Sequence, residues 1–238
     1  MKQRSPNSQT PRALDRTLTM PILDATYRIA QLDASHPDRS AHLTIALREY
    51  TTEENASNKL KKTVTRIWIN PPEGATPMIR WAIDHPDEFP DRRLMHLGSL
   101  LATTPFVGSV LAIIGRANTL GEAVTVPILR RRLTERWGAS STVESGAGKV
   151  ITTLRRLGAV TGGGREPIEV AEALAATPVN SAWLVHALLL GRDASDIDTR
   201  DVPTAPELFW AELEQPASSY PHLREHREGV KRRVWSLS

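Results

Sequence analysis

The chain has 238 residues, of which 40% are hydrophobic, and its 30 Lys and Arg residues slightly exceed its 27 Asp and Glu residues. That length is enough to bury a core, as one large domain or two small ones. Because the chain contains no cysteine, a disulfide framework, a thiol nucleophile and every cysteine-based zinc site are excluded.

The distribution of apolar residues along the chain predicts a cytoplasmic protein that does not bind a membrane. No stretch approaches the roughly 20 consecutive apolar residues that a bilayer-spanning helix needs. The longest apolar region, residues 105–117, predicts a buried helix. The basic N-terminus is not followed by an apolar signal core, so residues 1–17 predict a disordered arm rather than a secretion signal.

Helical periodicity dominates residues 18–118 and predicts a helical domain. Its clearest amphipathic helix follows Thr51 and ends at Pro71 and Pro72. Two apolar helices follow, over residues 92–103 and 105–118, and their density of Leu, Ile and Val is typical of a core. These segments together predict a helical bundle.

A different pattern occupies residues 119–175. Helix, polar turn, helix and hairpin are predicted in this order, at 127–137, 139–142, about 143–157 and about 159–170. Gly158 has the chemistry of a left-handed helix cap at the end of the second helix. This order is typical of a winged helix-turn-helix. The predicted fold class is therefore mostly α, with a helical bundle followed by a winged helix-turn-helix segment that carries a small β-hairpin.

Residues 176–238 predict a helical C-terminal region with acidic loops and a basic tail. The acidic stretch 193–214 includes Phe209 and Trp210, which we expect to be exposed. Such a surface would suit a protein partner.

One face of the helix over residues 143–157 has the composition of a DNA-reading surface. At about 100° per residue, one side collects the apolar residues Val143, Ala147, Val150, Ile151, Leu154 and Leu157. The opposite side carries Ser145, Lys149, Thr152 and Arg156. Small polar and basic side chains suit a helix in the major groove. A solvated basic face is the alternative that the pattern leaves open.

The positive charge is local. Residues 127–165 contain eight basic residues against Glu135 and Glu144, as an interface for a polyanion requires. Arg165, on the glycine-rich tip of the hairpin, is expected to reach a phosphate or an adjacent minor groove. Arg131 is a less specific candidate for a DNA contact, because three successive arginines cannot share one helix face.

The segment SGAGKVITTLRRLGAVTGGGREPIEV resembles the third helix and wing of many winged-helix proteins, in which the helix closes on an LRRLG run before the hairpin. The organisation of residues 40–190 also resembles the BrxA-like family of bacterial phage-exclusion (BREX) systems. The resemblance rests on the early helix NASNKLKKTVTRIW, the central apolar helix pair and the late basic helix with its turn. It implies a small, mostly helical DNA-binding protein of phage defence, without catalysis.

Motifs for other chemistries are incomplete. The Gly-Lys pair at 148–149 is followed by Val150, where a phosphate loop needs a hydroxyl. His222 and His226 match the H-x-x-E-H zinc motif, but few residues remain to supply a third ligand. The acidic run 193–201 lacks the glycine and the terminal glutamate of a calcium loop. We therefore expect no catalytic residue, metal or cofactor.

These observations predict a non-enzymatic protein that binds double-stranded DNA. The alternative is a structural or adaptor subunit that uses the winged helix for protein docking. A hydrolase built on the late histidines is the least favoured interpretation.

Overall fold

The structure, a computed structural model, describes residues 12–32, 38–164, 166–229 and 232–238. Within these ranges the α-helices are α1 (Met20–Ala30), α2 (Arg39–Arg48), α3 (Glu54–Val64), α4 (Thr76–Asp84), α5 (Arg92–Thr103), α6 (Pro105–Leu120), α7 (Val126–Trp137), α8 (Ser141–Arg156) and α9 (Pro178–Arg192). The strands are β1 (Val160–Gly162), β2 (Ile168–Val170), β3 (Leu174–Ala175), β4 (Asp196–Asp198), β5 (Ala211–Glu212), β6 (Leu223–Glu228) and β7 (Arg232–Leu237). The described chain is mostly helical, as predicted, and its strands all follow α8.

Local sequence sets several helix ends. The Asp91 side chain accepts a hydrogen bond from the Arg93 amide at 2.9 Å and caps α5, and Thr177 caps α9 by accepting from the Asn180 amide at 3.2 Å. Both bonds satisfy amides that have no partner within the helix. Gly121 ends α6 with a φ of 66°, a conformation in which a side chain would be strained.

The helix α3 does not end regularly. It runs into a π-helical turn, Thr65–Ile69, that buries Ile67 and Trp68. Such turns are rare in proteins, and those that occur often lie at functional sites.

One hydrophobic core extends from Ala13 to Trp235 and crosses all the domains that the sequence predicted. Its centre is the packing of α5 on α9, where Gly98 leaves room for the Trp183 ring. The helix α6 packs on a 3-10 turn, Pro206–Leu208. The predicted segments 18–118, 119–175 and 176–238 therefore share a core, because α9 closes over the helices of the first segment.

The prediction that residues 176–238 are helical with a basic tail is correct only for α9. The end of the chain forms an antiparallel hairpin of β6 and β7, and β4 pairs with the other edge of β7. Glu228 and Arg232 are four residues apart, a spacing that suits a helical ion pair. In the structure they lie opposite each other across the hairpin, with 2.6 Å between Glu228 Oε2 and Arg232 Nη1.

Part of the acidic stretch after α9 is paired with arginines of the same chain. Arg232 lies 3.2 Å from Asp196 and 3.7 Å from Asp198. Arg200 donates two hydrogen bonds to Asp198, which hold the pKa of that carboxyl well below its usual range.

The expected exposure of Phe209 and Trp210 is wrong. Trp210 is buried and its indole N–H donates to the Glu207 carbonyl at 2.9 Å, while Phe209 is half-buried against the core. The reason is tertiary: this segment packs on α6 and pairs with β3 through β5.

Among the described residues, no single helix is both long and apolar enough to cross a bilayer. The pair α5 and α6 reaches that composition together, but the two helices are bent by 113° at their junction. Both are largely buried.

We predict that Gly115→Ala destabilises the protein. A Cβ at Gly115 would overlap the backbone carbonyl of Pro206, and a backbone group cannot move aside as a side chain can. We expect the free energy of unfolding to fall by about 2 kcal/mol or more in urea titration. Gly74→Ala is the control, since its Cβ would meet Leu190 at an ordinary 3.7 Å. Equal effects of the two substitutions would contradict this packing.

The buried His186 predicts a loss of stability in acid. Burial, with a smaller contribution from His222, lowers its pKa to about 4, whereas an unfolded histidine titrates near 6.5. The folded protein resists protonation, so the contribution of His186 is complete above pH 6.5 and is lost as the pH falls towards 4. The loss should be about 3 kcal/mol of unfolding free energy.

Urea titrations from pH 7 to pH 4 measure this loss. His186→Gln keeps a hydrogen-bonding partner for the Tyr220 hydroxyl, which lies 2.9 Å from His186 Nδ1, and should show a clearly shallower decline. His226→Gln, at an exposed position on β6, should retain the full decline. A His186→Gln profile as steep as that of the unsubstituted protein would show that another group causes the loss.

Candidate nucleic-acid interface

The ends of α8 follow from its sequence. The Ser140 side chain accepts a hydrogen bond from the Val143 amide at 3.3 Å and caps the first turn. After Arg156, the helix closes with bonds from the Gly158 amide to the Arg155 carbonyl and from the Ala159 amide to the Leu154 carbonyl. Gly158 has a φ of 73°, so the predicted left-handed cap is confirmed.

The predicted apolar stripe of α8 is confirmed. Its members pack on α6 and α7 and have no more than 3% of their surface exposed: Val143, Ala147, Val150, Ile151, Leu154 and Leu157. Burying six apolar side chains orients the helix strongly, since each contributes roughly 1–3 kcal/mol. The opposite side of α8 must therefore point outward.

That opposite side is the α8 face, defined as Ser145, Lys149, Thr152 and Arg156. The structure brings these four predicted residues together: Ser145 and Arg156 are exposed, and Lys149 and Thr152 are half-buried. The Thr152 hydroxyl donates to the Gly148 carbonyl at 2.9 Å. Its oxygen keeps lone pairs that can accept a hydrogen bond from a ligand.

Two further arginines border the α8 face and were not among the predicted site residues. Arg130 of α7 reaches across to α8. Its Nη2 atom lies 3.7 Å from the position that a Cβ would take on Gly148. Arg155 donates from Nη1 to the Gly162 carbonyl of β1 at 3.1 Å. Only the charge of the arginine run signalled these residues in the sequence; their positions depend on the packing of α7 and the hairpin.

The three successive arginines of α7, Arg130 to Arg132, point in different directions. Arg132 lies 2.9 Å from Glu122. Arg131, the residue of this run that was predicted to contact DNA, is exposed and lies 3.9 Å from Glu135 of the same helix. The residue of this run that reaches α8 is Arg130. The structure therefore gives Arg131 a partner within α7.

The cations beside α8 are available for a ligand. In the described part of the chain, no carboxylate pairs with Arg130, Lys149, Arg155 or Arg156. The sole acidic residue of α8 is Glu144, in the first turn. The surface is therefore positive, and anions are attracted to it.

The predicted hairpin is confirmed. Strands β1 and β2 are antiparallel, with Val160 opposite Val170. The Ile168 amide donates to the Val124 carbonyl, before α7, at 2.7 Å, which ties the hairpin to the base of α7. Arg165, predicted to contact DNA from the tip, lies outside the described residues.

An N-terminal segment, residues 12–18, covers one edge of α8. The Leu18 amide donates to the Thr153 hydroxyl at 3.0 Å. The Ala13 side chain packs against Gly146, where an added Cβ would lie only 2.6 Å from the Ala13 Cβ. Ala13 and Leu14 are buried, so the prediction of a disordered arm over residues 1–17 is wrong for them. Residues 1–11 of that arm lie outside the described residues.

The N-terminal segment also borders the α8 face at Lys149 and leaves a groove there. Arg16, Thr17 and Tyr50 line a shallow groove of about 260 Å³ with Lys149. Arg16 adds a positive charge there and lies 3.8 Å from Glu53.

The late histidines do not form a metal centre in the described part of the chain, where no three His, Asp or Glu side chains converge. The His222 and His186 rings are 6.0 Å apart, and His226 lies apart on β6.

Comparison of the chain with protein-family profiles, with characterised proteins and with solved structures gives no match.

We predict that Thr153→Val destabilises the protein and loosens the N-terminal segment. The substitution conserves shape but leaves the buried Leu18 amide without its acceptor, which costs roughly 1–3 kcal/mol. Urea titration should show that loss, and trypsin should cleave faster after Arg16. Thr152→Val is the matched control, since its hydroxyl serves only its own helix, and should change stability by less than about 0.5 kcal/mol. If the two variants behaved alike, the anchoring bond would have no role.

Proposed function

We propose that this chain is a non-enzymatic protein that binds double-stranded DNA. In this proposal the segment from α6 to β2 is a winged helix-turn-helix, α8 lies in the major groove, and the β1–β2 hairpin is the wing. The observation that carries the proposal is the α8 face, a polar and basic surface on a helix whose apolar side is fully buried.

The dimensions of α8 suit the major groove. A helix with its side chains is about 10–12 Å wide and the groove about 12 Å. Lys149 and Arg156 are seven residues apart, which separates them by about 10 Å along the helix axis. Ser145 is small, so the helix can approach base edges closely on the N-terminal side of Lys149.

The chemistry of the face divides into two roles. Lys149 and Arg156 can donate to guanine edges or to phosphates, while Ser145 and Thr152 can hydrogen-bond to either type of base. In this proposal Arg130 and Arg155, at the border of the α8 face, contact the phosphates of the DNA backbone. Phosphate contacts position a protein and base contacts specify the sequence.

The hairpin supports the proposal through its attachment. It is joined to α8 through Arg155 and to the base of α7 through Val124. A wing fixed at two points moves with the reading helix, so both could engage one duplex together.

The proposal extends to a place in a bacterial phage-exclusion system, and this extension rests only on the likeness to the BrxA-like family. Protein docking through Phe209 and Trp210 is not proposed, because the structure buries Trp210 and half-buries Phe209.

We predict that the double substitution Lys149→Ala and Arg156→Ala weakens duplex binding by about tenfold or more. Two cations leave the interface, each worth roughly 1 kcal/mol or more. Since each phosphate contact contributes about one to the slope of log K against log salt, that slope should also fall, by up to about two. Fluorescence anisotropy with a labelled random duplex over a salt series measures both quantities.

The matched control removes the same charge elsewhere. Arg80→Ala with Arg227→Ala takes two exposed arginines from α4 and β6 and should leave the dissociation constant within about threefold. A folded Lys149→Ala and Arg156→Ala protein that binds duplex with unchanged affinity and slope would refute the assignment of α8.

A further inference from the structure

A basic cleft opens beside the first turn of α8, where Thr142 lines it. Its volume is about 820 Å³, within the range of small-molecule sites. It lies between the N-terminal segment, α3 and the π-helical turn, and its lining includes Arg12, Asn58, Lys62, Arg66, Asn70 and Thr142.

Arg66, in the π-helical turn, carries an unused binding edge. Its Nε and Nη2 atoms are both buried, and neither has a hydrogen-bond partner in the part of the chain that the structure describes. These two nitrogens form the side of the guanidinium that can bind two oxygens of one group at once. Buried donors are nearly always paired, so these two nitrogens need a partner that the described residues do not supply.

Other arginines of this protein show what that edge binds. Through Nε and Nη2, Arg192 holds both oxygens of Glu207, at 3.0 and 2.6 Å. Arg93 holds both oxygens of Asp91 in the same way, and so does Arg200 with Asp198. In each pair the partner is an oxyanion.

The surroundings of Arg66 favour an anion that comes from outside the chain. Burial lowers the pKa of Arg66, and the charge of Arg12 lowers it further, while Asp15 acts in the opposite direction. No carboxylate of the described residues bonds to Arg66, so the charge of Asp15 offsets the cost of burying this guanidinium only in part.

The cleft carries an excess of positive charge. Arg12, Lys62 and Arg66 face it, against Asp15. A fourth cation, Lys61, is engaged elsewhere, since its ammonium donates to Ser40 and Thr44. Asn58, Asn70 and Thr142 add neutral groups that can hydrogen-bond to oxygens.

We propose that this cleft binds a phosphate group of a small phosphorylated molecule, gripped by the Nε and Nη2 edge of Arg66 and neutralised by Arg12 and Lys62. A terminal phosphate carries up to two negative charges, which matches the charge of the cleft better than a carboxylate does. The exposed side chains of Arg12, Asn58 and Lys62 are the parts of the wall that move to admit it.

A small molecule is favoured over a duplex as the source of the phosphate. The two nitrogens lie below the surface, where a phosphate on a stiff double helix cannot reach. The cleft also has room for several more atoms than a phosphate contains.

Isothermal titration calorimetry tests the proposal, with inorganic phosphate and with glycerol 3-phosphate as probes at constant ionic strength. The unsubstituted protein should bind both, and Arg66→Met should weaken binding by about tenfold or more. Without phosphate, Arg66→Met should unfold at a higher temperature than the unsubstituted protein, because it removes a buried charge that has no partner. Lys62→Met, at an exposed position, should weaken binding without affecting folding.

Arg192→Met is the matched control. It removes the same edge from an arginine that already holds Glu207, so it should lower the unfolding temperature and leave phosphate binding unchanged. Phosphate also stabilises proteins non-specifically, and that effect would be equal in all variants.

Three results would overturn the proposal. The first is the absence of binding of either probe at millimolar concentration. The second is an Arg66→Met protein that binds phosphate as tightly as the unsubstituted protein, or that loses thermal stability as Arg192→Met does. The third is an Arg66→Met protein that loses duplex affinity when neither probe binds, which would make the DNA backbone the source.

Discussion

Burial of the apolar stripe of α8 is the constraint on which the rest of the candidate interface depends. The stripe packs on α6 and α7, and hydrogen bonds hold the helix on two further sides: Leu18 binds Thr153, and Arg155 binds the hairpin. A helix fixed in this way can present only its remaining side. That side carries small polar and basic groups, so the arrangement of the core also decides which charges face a ligand.

The parts of the fold that depend on local pattern could be predicted from the sequence. The stripe of α8 follows from helical periodicity, its end from the left-handed conformation of Gly158, and the hairpin from short apolar runs around glycines. These features need no knowledge of distant residues. The same locality explains why four of the six predicted contact residues lie together on one face.

The parts that depend on distant residues could not be predicted. The spacing of Glu228 and Arg232 suits a helix as well as a hairpin, and the hairpin is stabilised by distant elements, since β7 pairs with β4 and both strands pack on α9. Trp210 sits in an acidic stretch but is buried because its segment packs on α6. The choice between Arg130 and Arg131 required the position of Gly148 on the neighbouring helix, and Arg66 has no local signal at all.

The most direct test of the account is an NMR titration of the labelled protein with a duplex, following the backbone amides. The largest chemical-shift changes should fall on the amides of Ser145, Lys149, Thr152 and Arg156 and on those of β1 and β2. The chemical shifts of the amides in the β4–β7–β6 sheet should not change. Shifts concentrated on that sheet or on α9, with α8 unmoved, would contradict the account.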